Sequence, residues 1–436
     1  MLFRSKRMRM LNLAELNSFV GYEIEEDFKG SDGRVKIYLR RNNDLPVICN
    51  SCGHEIPKVR SQYLSRVKHL PIFEYKTDLI FRRLKGFCVN CNKYRSEQVP
   101  FLSRQSPHLS NQYAYWLSRL CEITTIKEAA EFCGVDDATL WRVDFKTLKE
   151  RFSKYKIPDV SRISVDEVCA RSHSKYEGEG RNEKYFTVVT DIESKKVIWV
   201  SDSRNKEALD DFFQRIGPKR CRKIVTVASD QHPGYRLSIK EFCPQARHVL
   251  DKFHLMRNFE DAVNDSRKFI FKIMDKDKKH ASGRFRFIYL KKASQRTDKE
   301  RKCIEQVMND NKLLVYLELI KERMFDFFSP TNTPTEARDI LKQMEQWIFE
   351  LGVPPLKRWL KNFKRDWRLI VNYFYEKVTS SISEGFNNVI KTLKRKAYGY
   401  SNMEYFKLKI MQKIGYLNSR YANKSTLTGY QGFRLF

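Results

Sequence analysis

Two acidic residues stand where the sequence predicts strands of a sheet. Asp166 lies in a strand-like run, Ile163 to Val168, whose other residues are mostly apolar. Asp230 directly follows Ile224 to Ser229, a run apolar enough for a central strand covered on both faces. Burying an unpaired acid is costly, so each should lie at an exposed strand end, bind a metal or be paired. Asp230 takes the position where α/β sheets usually bind ligands.

A third acid, Glu384, lies on a helix predicted from about 379 to 397. Its apolar face is predicted from the spacing of Ile382, Phe386, Val389, Leu393 and Ala397. Glu384 lies on the opposite face, and the residues at i+4, i+7 and i+11 are Asn388, Lys391 and Arg395. This polar face has the residue types that follow a phosphate backbone, although a solvated surface helix has the same pattern.

These three carboxylates, if clustered, predict a site for divalent metal. Clustered acids repel one another and raise each other's pKa unless cations neutralise them. Two Mg²⁺ ions about 4 Å apart can activate a water or a 3′-hydroxyl and stabilise the leaving oxygen of a phosphodiester. Glu167 adjoins Asp166, and neighbours on a strand face opposite sides, so either residue is a candidate for the metal-facing position.

Four of the ten cysteines form two CxxC pairs. Such dithiols supply four thiolates to a tetrahedral zinc ion, here Cys49, Cys52, Cys88 and Cys91. The 35 residues between the pairs exceed the roughly 15 to 20 that are usual, but a strand pair can fill that gap. We expect structural zinc, with His54 and His69 as alternative ligands or plain surface residues. The other six cysteines are expected to be thiols.

A helix-turn-helix is predicted from Ile126 to Cys133, a break at Gly134, and a second helix from Asp137 to Leu148. A plain helical packing unit has the same pattern. The overall charge favours DNA binding, and the candidate contacts on the second helix are Thr139, Arg142 and Lys146.

The charge balance indicates a polyanionic partner. The chain of 436 residues has 83 Lys and Arg against 53 Asp and Glu, a formal net charge of +30. Its hydrophobic fraction of 41% argues against a mainly disordered chain. No apolar run is long enough for a membrane span, and the basic start lacks the apolar segment of a secretory signal, so we expect an intracellular protein without membrane contact.

Changes of pattern divide the chain into five regions. We expect a zinc-ribbon DNA-binding domain at 1–105, a helix-turn-helix domain at 106–156, the first part of an α/β core at 157–262, a basic all-α insertion at 263–375, and the last core helix with a tail at 376–436.

Several motifs together resemble the DDE transposases of bacterial insertion sequences, and among these the ISL3 family. They are "FRRLKGFCVNC", "ISVDEV", "ASDQHPGYR", "VLDKFHLMRNF" and "SEGFNNVIKTLKRKAYGY". The resemblance covers nearly the whole chain. It implies an α/β, ribonuclease-H-like catalytic core with a large all-α insertion, and a catalytic, metal-binding triad at Asp166, Asp230 and Glu384. His254 of "DKFH" would have a supporting catalytic place.

The resemblance also implies a function. We expect an enzyme that binds inverted terminal repeats in double-stranded DNA, cleaves at them with Mg²⁺ or Mn²⁺, and joins the freed 3′-hydroxyl to target DNA. Lys391, Lys394 and Arg395 would position phosphates, with Asn388 beside them. At least a homodimer is expected in the active complex, in the bacterial cytoplasm and on the nucleoid when bound to DNA.

One departure and two alternatives accompany this expectation. Many relatives have an Asn shortly before the motif glutamate, whereas this chain reads "TSSISE" up to Glu384. A non-catalytic DNA-binding protein or repressor derived from a transposase would keep the charge and the motifs. A structure-specific nuclease acting on RNA or branched DNA is the third hypothesis.

Overall fold

The computed structural model describes residues 19–171, 184–273, 285–309, 311–378 and 381–418. It is a mixed α/β structure with two sheets and many helices. The described residues form two compact units, one made of those within Met1–Tyr155 and Glu404–Phe436 and the other of those within Lys156–Met403. No helix among the described residues has the length and apolar character needed to cross a membrane.

The first unit contains a five-stranded sheet. Its strands are β1 (Tyr22–Lys29), β2 (Val35–Arg41), β3 (Val59–Ile72), β4 (Tyr75–Cys88) and β5 (Lys93–Ser96). The order is β1-β2-β4-β3, and β5 pairs with the end of β4; only β2 and β4 are parallel. The long β3–β4 hairpin occupies the gap between the two CxxC pairs, which explains their wide separation in the sequence.

Four helices complete this unit: α1 (Asn111–Leu120), α2 (Ile126–Cys133), α3 (Asp137–Ser153) and α16 (Met403–Ile414). The predicted break at Gly134 is present, because this residue ends α2 in the left-handed region at φ 61°. The buried residues of α1–α3, among them Leu117, Ala129 and Leu140, form one apolar core.

Side-chain caps define where these helices begin. Ser110 caps α1, and Asp136 caps α3. Thr125 and Glu128 form a reciprocal capping box on α2. Helix α16 is held to α3 by a buried network, in which Tyr405 Oη donates to Asp144 at 2.7 Å.

The second unit is built around another five-stranded sheet, with β6 (Arg162–Arg171), β7 (Lys184–Asp191), β8 (Lys196–Ser201), β9 (Thr226–Ser229) and β10 (Arg247–Leu250). The order is β10-β9-β6-β7-β8. Strands β6, β7 and β8 are antiparallel, whereas β6, β9 and β10 are parallel. An antiparallel β6–β7–β8 meander is therefore followed by two strands, β9 and β10, that extend the sheet in parallel on the other side of β6.

Helices surround this sheet and form a large separate layer. Their bounds are α4 (Lys206–Ile216), α5 (Pro218–Cys221), α6 (Pro233–Phe242), α7 (Lys252–Ile273), α8 (Phe285–Leu290), α9 (Asp298–Asn309), α10 (Lys312–Phe327), α11 (Pro334–Leu351), α12 (Pro354–Arg365), α13 (Trp367–Ile370), α14 (Asn372–Glu376) and α15 (Ser381–Lys396). Helices α7 to α14 share one apolar core that contains Phe259, Phe327, Met344 and Trp359. This layer separates β10 from α15 in the sequence.

Candidate active site and metal centres

The sheet of the second unit places three aspartates in one row. Val165 of β6 pairs with Ser229 of β9, which in turn pairs with Leu250 of β10. The next residue in each segment is an aspartate, namely Asp166, Asp230 and Asp251. Because paired parallel strands lie about 4.8 Å apart, the three carboxylates emerge at the same edge of the sheet.

Asp166 is held from two sides. Its Oδ1 accepts a hydrogen bond from the backbone N–H of Glu167 at 2.7 Å, and its Oδ2 accepts one from Nδ2 of Asn387 at 2.8 Å. Burial raises the pKa of Asp166 to about 6, and the charges of Asp251 and Asp230 add to this effect. A cation bound at this edge would lower the pKa of Asp166 again, because it stabilises the charged carboxylate.

The pKa of Glu167 is also affected by the row of aspartates. Burial raises its pKa to about 7, and the charge of Asp230 is the next cause. Arg204 Nη1 lies 3.9 Å from its Oε2 and opposes the shift. The residue therefore lies in the electrostatic field of the same site as Asp166.

Asp230 is fixed by the turn that begins α6. Its Oδ1 accepts the backbone N–H of His232 at 3.0 Å. The His232 ring then caps the helix by accepting the N–H of Gly234 at 3.2 Å. The sequence "DQHPG" thus folds into a tight strand-to-helix turn that orients the Asp230 carboxylate.

Asp251 and His254 form a hydrogen-bonded pair at the start of α7. His254 Nδ1 lies 2.7 Å from Asp251 Oδ2, while Asp251 Oδ1 accepts the N–H of Phe253 at 2.8 Å. The hydrogen bond to Asp251 raises the pKa of His254, and the charges of Asp251, Asp166 and Asp230 add to it. Since Nδ1 is engaged, Nε2 is the ring nitrogen left for exchange with a substrate or water.

Helix α15 packs against β6 and carries Glu384 at its exposed start. Asn387, which contacts Asp166, follows Glu384 by three residues, so both side chains lie on the same side of the helix about one turn apart. On the predicted apolar face, Phe386, Val389 and Leu393 are only half-buried, whereas Ile390, which lies outside that predicted face, is buried at 1% exposure. The side chain of Ile382 lies outside the described residues.

The basic residues predicted to contact DNA are largely accessible. Along α15, Asn388, Lys391 and Arg395 are exposed and Lys394 is half-buried. On α3 of the first unit, Arg142 and Lys146 are exposed and Thr139 is half-buried.

Sequence reasoning missed two residues of the site. Asp251 follows β10 just as Asp230 follows β9, so the rule used for Asp230 would also have found Asp251. Asn387 carried no such signal, since only its neighbour Asn388 falls on the face that was singled out.

The four cysteines of the CxxC pairs converge in the first unit. Their sulfur atoms all lie within 4.8 Å of one another, with Cys49 Sγ 3.8 Å from Cys91 Sγ and Cys52 Sγ 3.5 Å from Cys88 Sγ. A backbone hydrogen bond from His54 lowers the pKa of Cys52 to about 5. Four sulfurs in this arrangement form a group able to hold a metal ion.

The two histidines considered as alternative ligands have other surroundings. His69 is buried at 4% exposure, and its Nδ1 lies 2.8 Å from Ser110 Oγ. His54 is exposed, with Nδ1 3.3 Å from the carbonyl oxygen of Cys52.

Comparisons with known proteins show which sequences this chain resembles. Residues 163–410 match the profile of a protein family, DDE_Tnp_ISL3, described as "Transposase". A transposase for insertion sequence element IS1001 from Bordetella parapertussis is 25% identical over 412 residues, covering 91% of this chain and 96% of that protein. A transposase for insertion sequence element IS1557 from Mycobacterium tuberculosis is 22% identical over 411 residues, covering 87% and 88%.

Proposed function

Because the chain belongs to the DDE transposase family of the ISL3 type, we propose that it binds the inverted terminal repeats of an insertion sequence, cleaves DNA at them and transfers the strand to target DNA. The observation that carries the proposal is the row formed by Asp166, Asp230 and Asp251 at one edge of a mixed sheet, with α15 packed beside it. We take this sheet to be the ribonuclease-H-like core of the enzyme, and the layer α7 to α14 to be its insertion.

The donor set fits divalent metal. Carboxylate oxygens are the ligands that Mg²⁺ and Mn²⁺ prefer. Burial and mutual repulsion raise the pKa of Asp166, as expected of acids gathered for a cation. We assign the ligand roles to Asp166, Asp230 and Glu384, with Glu167 as the alternative on β6. Metal bound there would activate the attacking oxygen and stabilise the leaving one.

The remaining residues of the site have positioning and proton-handling roles. Asp251 fixes the His254 ring and its tautomer through Nδ1, so Nε2 is the nitrogen that holds or releases a proton beside the reacting phosphate. Asn387 restrains the Asp166 carboxylate. Lys391, Lys394 and Arg395 continue along α15 and bind the phosphates that flank the cut.

The first unit supplies DNA recognition in this proposal. The four-cysteine cluster is a zinc ribbon, and α2 and α3 are a helix-turn-helix with Arg142 and Lys146 on the exposed side of its second helix. Neutralising phosphates releases counterions, so affinity should fall steeply with salt. Two element ends must be handled together, which requires at least a dimer in the active complex.

A plasmid assay tests the proposal. Supercoiled DNA that carries the element's ends should be nicked by the wild type with Mg²⁺ and left intact by Asp230→Asn, while both proteins bind the ends equally. Equal nicking by both would remove catalysis from these carboxylates. Binding without nicking by either protein would leave only the repressor alternative, and preference for RNA over the terminal-repeat duplex would favour the nuclease alternative.

A further inference from the structure

A cavity of about 440 Å³ opens between α7 and α12, next to the acidic row. Gln231, the residue after Asp230, lies at its edge, and Leu255, the residue after His254, lines it as well. Its size is within the range of pockets that bind small ligands. The cavity therefore adjoins the place where the phosphodiester would be cut. None of the residues proposed as metal ligands lines it, so metal binding does not explain its presence.

The two walls of this groove carry opposite charges. Asp261 and Asp265 line the α7 side, and Arg358 and Arg365 line the α12 side; all four are exposed. Asp265 pairs with Lys268 at 2.9 Å on its own helix, and Arg365 makes a long contact of 3.4 Å with Asp366. In the described part of the chain, no ion pair crosses the groove. A ligand that reaches both walls needs an anionic group at one end and hydrogen-bond donors at the other.

Between the walls, the groove is apolar. The buried side chains of Trp359 and Phe363 line it together with Leu255. Its edge near Asp230 is rigid, because Asn258 Nδ2 donates to Gln231 Oε1 at 2.7 Å and Gln231 Nε2 donates to the buried Asp366 at 3.0 Å. A flat, uncharged body would lie against this surface.

We propose that the groove binds one unpaired deoxynucleotide next to the scissile phosphate, an inference that rests on the proposed function. The phosphate would contact Arg358 and Arg365, whose guanidinium groups suit phosphate oxygens. The base would lie over the apolar floor, with an exocyclic amine donating to Asp261. A base that lies on this apolar floor is no longer stacked between its neighbours in a duplex, so the nucleotide must be unpaired to enter.

The acidic wall also predicts a base preference. The exocyclic amine of cytosine or adenine donates to a carboxylate, whereas thymine has a carbonyl oxygen at the corresponding position, which a carboxylate repels. The groove should therefore prefer a cytosine or an adenine to a thymine at this position.

Direct nucleotide binding tests the inference without DNA ends or metal. The probe is the 5′-monophosphate of 2-aminopurine deoxyriboside, titrated against the full chain and followed by its fluorescence. We expect saturable binding that Arg358→Ala and Asp261→Asn each weaken by about tenfold, the equivalent of one lost polar contact. Lys361→Ala, an equal charge change on an exposed residue of α12 outside the groove, should change it less than about twofold.

Competition with unlabelled nucleotides gives a second readout. Deoxycytidine monophosphate should displace the probe at about a tenfold lower concentration than thymidine monophosphate, and Asp261→Asn should remove that difference. Binding that does not saturate, or that is the same for wild type and both groove variants, would overturn the inference. Nicking that still depends on Asp230 would then show that only the groove was wrongly assigned, whereas nucleotide binding without nicking would point to failure of the catalytic proposal.

Discussion

Asn387 Nδ2 donates a hydrogen bond to Asp166 Oδ2 at 2.8 Å, across 221 residues of sequence. This bond joins α15 to β6, the first strand of its sheet. Since Glu384 lies one turn before Asn387, the same contact sets where Glu384 stands relative to the aspartates. Under the proposed metal assignment, the Asn387 amide positions the carboxylates of Asp166 and Glu384 and is not itself a charged ligand.

Replacing Asn387 should weaken the metal site. We expect Asn387→Ala to lower Mn²⁺ affinity by roughly 10- to 100-fold, as is typical when a residue that orients a ligand is lost. Calorimetric titration of the metal-free protein with Mn²⁺ measures this without any DNA. Asn388→Ala, which alters an exposed amide on the next position, should leave Mn²⁺ affinity unchanged. Equal affinities for Asn387→Ala and the wild type would show that the contact does not organise the site.

The contrast between Asp230 and Asn387 shows what the sequence could reveal about the site. A buried parallel strand is an apolar run, and the polar residue after it must lie at the sheet edge, so Asp230 could be predicted from local pattern alone. The contact of Asn387 depends on how a distant helix packs on β6, which no local pattern specifies.

The cysteine pairs show the same limit in the first unit. Their residue types predicted a shared site, whereas their wide spacing argued against one. The long β3–β4 hairpin accounts for the wide spacing, because it brings the second CxxC pair back beside the first. The predicted burial of α15 was less accurate, because Asn387 contacts Asp166 of β6 and Ile390 is buried, while Phe386, Val389 and Leu393 of the predicted apolar face are only half-buried.

Removing the partner of His254 should lower the pKa of its ring. The hydrogen bond between His254 Nδ1 and the Asp251 carboxylate is the main cause of the raised His254 pKa. In Asp251→Asn, we expect the His254 pKa to move down toward the ordinary value of about 6.5. Histidine-selective NMR in the absence of metal, with His254→Gln to assign the signal, follows the titration. The NMR signal of the exposed His108 serves as the reference. An unchanged His254 titration would mean that Asp251 does not control this ring.

Zinc should bind with one ion per chain and hold the end of the first sheet together. Cys49 and Cys88 are buried around Ile56, so losing the metal would leave this small cluster without its main support. We expect Cys88→Ser to lose the zinc measured by elemental analysis and to speed hydrogen exchange in β4 and β5. Cys303→Ser, a half-buried thiol of α9, should retain the metal. Full zinc content in Cys88→Ser would contradict the assignment of this ligand set.

Acid should destabilise the first unit through His69. Burial lowers the pKa of His69 to about 4, well below its value in an unfolded chain. The unfolded chain therefore binds the extra proton between about pH 6.5 and 4, and stability present above that window falls by about 1.4 kcal/mol for each pH unit within it. Hydrogen exchange of β3 peptides at several pH values, corrected for intrinsic rates, measures this loss. His69→Gln keeps a hydrogen-bonding group toward Ser110 and should flatten the dependence, whereas His108→Gln at an exposed position should not. The same acid response in all three proteins would assign the effect to other groups, since a neutral glutamine takes up no proton in this window.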